Sequence, residues 1–211
     1  MAVITSYTTL LTAVGDYLAR SDLTTFTPNF VQNFEERFLR DSENWGSWLE
    51  SALSVTVASG VAAVPASYLG LRVAYFSTRQ NLKRVSLEQL YARYPRGNPS
   101  TGLPSHIARN GANFEFGVVP TDGTTLLGTY YAKPAPLRSY STGGADAIAH
   151  YLIVSAPDLC LYGALLEAMP FIKKDERIPL WKMAFDEAVM AYRSRLKGED
   201  NSGSTPFTVP I

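Results

Sequence analysis

The residues from Ser155 to Leu196 constrain this chain more than any other stretch, because they carry two apolar helical stripes with a proline between them. Leu159, Tyr162, Leu165, Leu166 and Met169 recur at spacings of three and four, which predicts one face of a helix from about Pro157 to Met169. Ser155 is the expected N-cap, with Asp158 three residues on, and Pro157 falls in the first turn, where its missing N–H costs little. Gly163 and Ala164 are small enough for another backbone to come close. Pro170 disfavours helical geometry at Met169, so the helix is expected to bend or stop there. A second helix is expected from its cap at Asp175, with a stripe of Trp181, Phe185, Ala188, Val189, Tyr192 and Leu196. Arg193, Arg195 and Lys197 suit its C-terminal dipole, and Gly198 reads as its stop. The two helices read as folded back on each other.

The N-terminal residues repeat this logic. Residues 5–20 predict an amphipathic helix capped by Thr5 or Ser6, with Tyr7, Leu10, Leu11, Val14, Tyr17 and Leu18 as its stripe. After a break at Ser21-Asp22, Thr27 reads as a cap followed by Pro28 at the first helical position. Phe30, Val31, Phe34 and Phe38 line one side of this helix, and Glu35, Glu36, Arg37 and Arg40 the other, with Glu36 and Arg40 spaced to pair. Trp45 and Trp48 read as core.

From Leu53 the period shortens to two. Leu53, Val55 and Val57 predict a half-buried strand, Ser59-Gly60 a turn, Val61–Val64 a short return, and Leu69–Phe76 a further strand. Ser86 and Gln89 form a capping box for a short helix to about Tyr94. Strands at 105–109 and 113–119 flank the hairpin signal Asn110-Gly111, and a third covers Thr125–Ala132, which predicts an antiparallel meander. Residues 95–104 and 137–147 are Pro-, Gly- and Ser-rich loops, expected to order late and to touch neighbours. The expected class is α+β. Residues 1–50 and 141–198 form a helical bundle, 51–140 an inserted antiparallel β lobe with a short helix, and 199–211 an extended tail.

Chemistry is sparse. The 19 basic and 19 acidic residues balance, which argues against the basic excess of a nucleic-acid-binding surface without excluding a protein that DNA passes. His106 and His150 are the only histidines and Cys160 the only cysteine, so neither metal-ligand spacing nor a nucleophile with a base partner is present. No Gly-x-Ser-x-Gly or Walker-type motif occurs. No catalytic, cofactor-binding or metal-binding residue is assigned. Asp175 and Glu176 are explained by capping, Asp186 and Glu187 by solvation, Lys173-Lys174 by a solvated corner or, less simply, a subunit or phosphate contact. No apolar run is long enough for a bilayer, and Met1–Leu18 lacks the basic start of a signal peptide, so the expected setting is a cytosol-like compartment or a particle built there. Twelve tyrosines, several of them in or near the β lobe, suit contact surfaces, although either Tyr130 or Tyr131 must face the sheet's core.

The tail, EDNSGSTPFTVPI, is polar and then apolar. Phe207, Val209 and Ile211 alternate, as in a strand added to a partner or side chains filling its pockets, while Pro206 and Pro210 limit backbone pairing.

The stretch PDLCLYGALLEAMPFIKKDERIPLWKMAFDEAVMAY resembles the C-terminal helical signature of phage head-to-tail adaptor proteins, the tail tubular protein A-like or gatekeeper subunits. ITSYTTLLTAVGDYLARSDL is similar to that family's opening helix, and PASYLGLR and the hairpin ending in Thr129-Tyr130-Tyr131-Ala132 to its middle. The resemblance implies a virion protein at the head–tail interface that forms a ring, a dodecamer, below the portal. It implies that tail or nozzle proteins attach on the other side and that genomic DNA passes without sequence-specific binding. It implies the portal as partner of Pro206, Phe207, Val209 and Ile211, with no membrane and no enzymatic role. Two other classes stay open: another neck or tail ring component such as a stopper or tail terminator, and a wall-degrading enzyme, for which the residues offer neither a carboxylate pair nor a metal site.

Overall fold

The computed structural model describes residues 3–77, 81–95, 100–141, 150–172 and 175–201. In chain order its elements are α1 (Tyr7–Leu18), α2 (Thr27–Arg40), β1 (Glu50–Thr56), β2 (Ala62–Ala63), β3 (Tyr68–Tyr75), β4 (Lys83–Arg84), α3 (Leu87–Arg93), β5 (His106–Asn110), β6 (Asn113–Phe116), β7 (Thr125–Ala132), α4 (Tyr151–Ser155), α5 (Pro157–Glu167) and α6 (Ile178–Asn201), with short 3₁₀ turns between some of them. The class is α+β. The chain divides into two compact units, Met1–Trp48 with Ala135–Ile211, and Leu49–Pro134.

In the first unit α5 is the central helix. Leu159, Cys160, Leu161, Gly163, Ala164, Leu165 and Leu166 are all buried, so its apolar surface runs nearly all round rather than along one stripe. Helices α1, α2 and α6 each pack on it. Tyr7, Leu10, Val14 and Leu18, then Phe30, Val31, Phe34 and Phe38, then Trp181, Ala188, Tyr192 and Leu196 join it in one core. Gly163 is small for a reason other than backbone approach: the Phe34 ring occupies the space its Cβ would need. The same ring meets Phe185 edge-on at 6.2 Å, so one aromatic ties α2 to both α5 and α6.

Several local expectations are corrected. Of the two caps expected for α1, Ser6 is the one used, in a box with Thr9. Thr27 does not cap α2; it is already helical, and its hydroxyl donates to the Leu23 carbonyl one turn back. Glu35 is buried on the core side, where its carboxylate accepts the Leu137 N–H, and Glu36 accepts from Gln32. Ser155 belongs to the additional helix α4, which is capped by the His150 ring, so α5 starts from Ala156 without a side-chain cap. Helix α6 begins at Ile178, after a turn in which Asp175 accepts the Arg177 N–H. It does not end at Gly198 but continues to Asn201, because Glu199 is held by Arg195 one turn earlier and by the Tyr151 hydroxyl. Trp45 and Trp48 are half-buried, and their indole N–H groups donate to the Leu39 carbonyl and the Tyr192 hydroxyl.

The second unit holds two sheets, ordered β1-β7-β3 and β2-β6-β5-β4. The expected meander does not form. Strands β5 and β6 make the hairpin around Gly111, whereas β7 leaves them and lies antiparallel between β1 and β3. Leu126 and Tyr130 explain the choice: they point into a core with Leu53, Leu71 and Phe114, while Tyr131 is half-buried. Strand β4 pairs parallel to β5, and the Ser86–Gln89 capping box opens α3 as expected.

Candidate functional site: the outward face of the last helix

The tail residues Pro206, Phe207, Val209 and Ile211 lie outside the described residues, as do Lys173-Lys174 and the middles of both loops, 96–99 and 142–149. What the described residues offer instead is a surface on α6.

Its inner stripe is spent on the core. On its other side stand Leu180, Met183 and Met190, which are 61%, 63% and 66% exposed. At roughly 100° per residue they fall within an arc of about 80°, opposite the buried Trp181, Ala188 and Tyr192. Single exposed apolar side chains are ordinary, and the exposed Glu187, between Met183 and Met190 in sequence, falls within the same arc, so the face is a mixed one on which three long apolar side chains stand. The period of the inner stripe does not single out these three side chains. Their signal was there, in a spacing of three and seven out of phase with the inner stripe.

The helix that presents this row is fastened at both ends. Near its start, Arg177 donates to the Tyr17 carbonyl at 2.7 Å, pairs with Asp175 at 2.7 Å, and lies 5.0 Å over the Trp181 ring. Arg177 also holds the Asp175 carboxyl down to about 2, well below the usual range. Near its end, Arg193 bridges Asp41 and Glu43 and donates to Asn44 Oδ1 at 2.9 Å. Arg195 donates to the Ser155 carbonyl and the Tyr151 hydroxyl, both at 3.1 Å. A second apolar spot is the half-exposed pair Phe26 and Phe171, 5.6 Å between ring centres.

The residues considered for catalysis have structural surroundings. Cys160 is fully buried, and burial pushes its thiol pKa up, away from the reactive thiolate. His106 shares Nδ1 between Ser105 Oγ at 2.8 Å and the Tyr94 hydroxyl at 3.1 Å. Its pKa is lowered by desolvation and then by the cations Arg93 and Lys83. The ring borders an open cleft of about 440 Å³ between α3 and β5. His150 is 3% exposed and accepts the Leu152 N–H through Nδ1, which assigns its proton to Nε2, a buried atom without a hydrogen-bond partner among the described residues. Burial lowers its pKa to about 4. Among the described residues no group of three His, Cys, Asp or Glu side chains could hold a metal ion, and no helix is long and apolar enough to cross a membrane.

The family model described as SU10 adaptor protein matches residues 5–210, a span that takes in both units and runs past the end of α6. No curated protein matches the chain.

Proposed function

The chain belongs to the SU10 adaptor protein family, a phage head–tail adaptor family, and from that premise we propose that it forms a ring below the portal which joins capsid to tail and lets the genome through. The observation that carries this reading is the extent of the family match, residues 5–210. The helical unit supplies a core built from both chain ends, and the clamped α6 supplies an apolar row for assembly contacts. Equal numbers of acidic and basic residues, 19 of each, suit a subunit that DNA passes, since a strongly basic lumen would retain it.

In this reading residues 202–211 are an arm. At roughly 3.3 Å per residue it extends about 33 Å beyond Asn201, far enough to reach a partner ring. Phe207, Val209 and Ile211 bury on the portal, with Pro206 stiffening the approach. Each arm binds weakly because it pays to become ordered, and the many copies in a ring make the sum strong. Deleting residues 205–211 is expected to leave a folded chain that no longer joins portal-bearing heads. Normal attachment by the truncated chain refutes the docking role.

A further inference from the structure

We propose that the outward face of α6 in one copy of the chain docks on the cleft between α3 and β5 of a second copy, with Glu187 set between Lys83 and Arg93. The proposal rests on the reading of the chain as a ring subunit and names the surfaces through which neighbours meet.

The first observation is a division of charge that the balanced total hides. Leu49–Pro134 carries eight basic and four acidic residues, and the rest of the chain eleven and fifteen. Two copies therefore attract when the basic unit of one meets the acidic unit of the other, and repel when like meets like.

The second observation is what the cleft offers. Lys83 pairs with His106 in the parallel β4–β5 register, so both side chains stand on the face of the sheet where Tyr94 of the α3 C-cap reaches the His106 ring. Arg93 lines the cleft from α3. Both cations are exposed, and neither has an acidic partner among the described residues. The His106 ring borders the same cleft, and its Nε2 has no hydrogen-bond partner among the described residues. Val85, Leu90 and Ala92 make the rest of the wall apolar. A cleft of about 440 Å³ with apolar walls and cations beside them fits a carboxylate flanked by apolar side chains.

The outward face of α6 is built in that way. Glu187 is exposed and has no hydrogen-bond or ion-pair partner among the described residues. Met183 and Met190 stand one turn before it and one turn after it, both exposed. Asp186 adds a second exposed acid, and Lys182 lies beyond Asp186 round the helix, away from Glu187. The glutamate that interrupts the apolar row is thus the group the cleft selects. Because one surface is cationic and the other acidic, neither can dock on its own copy in a second chain. The contact is head to tail, and its repetition closes into a ring when the rotation closes.

The test uses two full chains, one with Ala92→Cys in the cleft and one with Ala191→Cys one turn beyond Glu187; both positions are exposed, and Cys160 is buried. The two are mixed with portal-bearing heads and oxidised. Disulfides joining unlike chains are expected to exceed those joining like chains by about five-fold or more. Lys83→Glu/Arg93→Glu in the first chain is expected to cut that yield about five-fold, and Glu187→Lys in the second to restore it, with unfolding unchanged because the sites are exposed. Should the reversals unfold the chain, Lys83→Gln/Arg93→Gln is expected to lower the yield in the same direction by a smaller factor. Unlike chains joined no more often than like ones overturn the proposal. So does a yield indifferent to the charge changes. A chain bearing both cysteines that closes on itself in preference to a neighbour overturns it too, by making the contact internal. Ring closure and attachment to heads are scored separately: chains that cross-link head to tail yet form no ring and join no heads keep this contact and remove the ring reading.

Discussion

Both carboxylate oxygens of buried Glu35 lie within reach of the Leu137 N–H, at 3.2 and 3.1 Å. Glu35 sits on α2, and Leu137 lies just past Pro134, where the chain re-enters the helical unit. The acid thus receives the returning chain and fixes its first buried side chain.

Glu35→Ala is therefore expected to cost about 2 kcal/mol in denaturant unfolding, since it leaves a buried N–H without its charged acceptor. Glu35→Gln keeps an oxygen in place and should cost less than half of that. Equal losses for the two variants would show that the negative charge, and not merely an oxygen in place, is what the Leu137 N–H requires.

Gly163→Ala ought to destabilise the protein although alanine is the better helix former by about 1 kcal/mol. The new methyl group meets the Phe34 ring, and overpacking of this kind costs about 1–3 kcal/mol. Phe34→Leu made in the Gly163→Ala background should cost less than Phe34→Leu alone, which a double-mutant cycle measures. Additive losses would mean that the ring relaxes away freely.

His150 sets a pH dependence. Its folded pKa of about 4 lies below the ordinary 6.5, so the folded state binds the proton less readily than the unfolded state. Its contribution is fully present above pH 6.5 and is lost as pH falls toward about 4, by at most about 3 kcal/mol. Protonation would also take away the Nδ1 lone pair that caps α4. His150→Asn retains a capping acceptor and should flatten the slope of stability between pH 6.5 and 4. An unchanged slope would assign the proton uptake to other groups.

The helices were legible because each stripe repeats a strong period: Tyr7 to Leu18, Phe30 to Phe38 and Trp181 to Leu196 are all where the spacing puts them. Residues whose role depends on distant partners were not. Glu35 reads as a surface acid until the returning chain supplies Leu137. His150 reads only as a residue just before a helix until its ring is seen capping α4, between Trp48 and Tyr140 at 5.5 and 5.2 Å. Strand β7 was correct to the residue, but local sequence holds no record of which strand a strand will pair with. Leu180, Met183 and Met190 escaped because the inner stripe accounted for the helix without them. Phe207, Val209 and Ile211 fall outside the described residues.

Splitting the helical unit across the two ends of the chain has a consequence for synthesis. Phe30, Phe34 and Phe38 leave the ribosome long before α5 and α6, the helices that cover them. The residues between, Leu49–Pro134, contain every strand of both sheets, including β7, which joins β1 to β3. The middle of the chain thus has all its partners at hand while the beginning still waits for its own. During that interval the nascent helices α1 and α2 present bare aromatic surface, the state in which a chain most needs a chaperone or a neighbour's restraint.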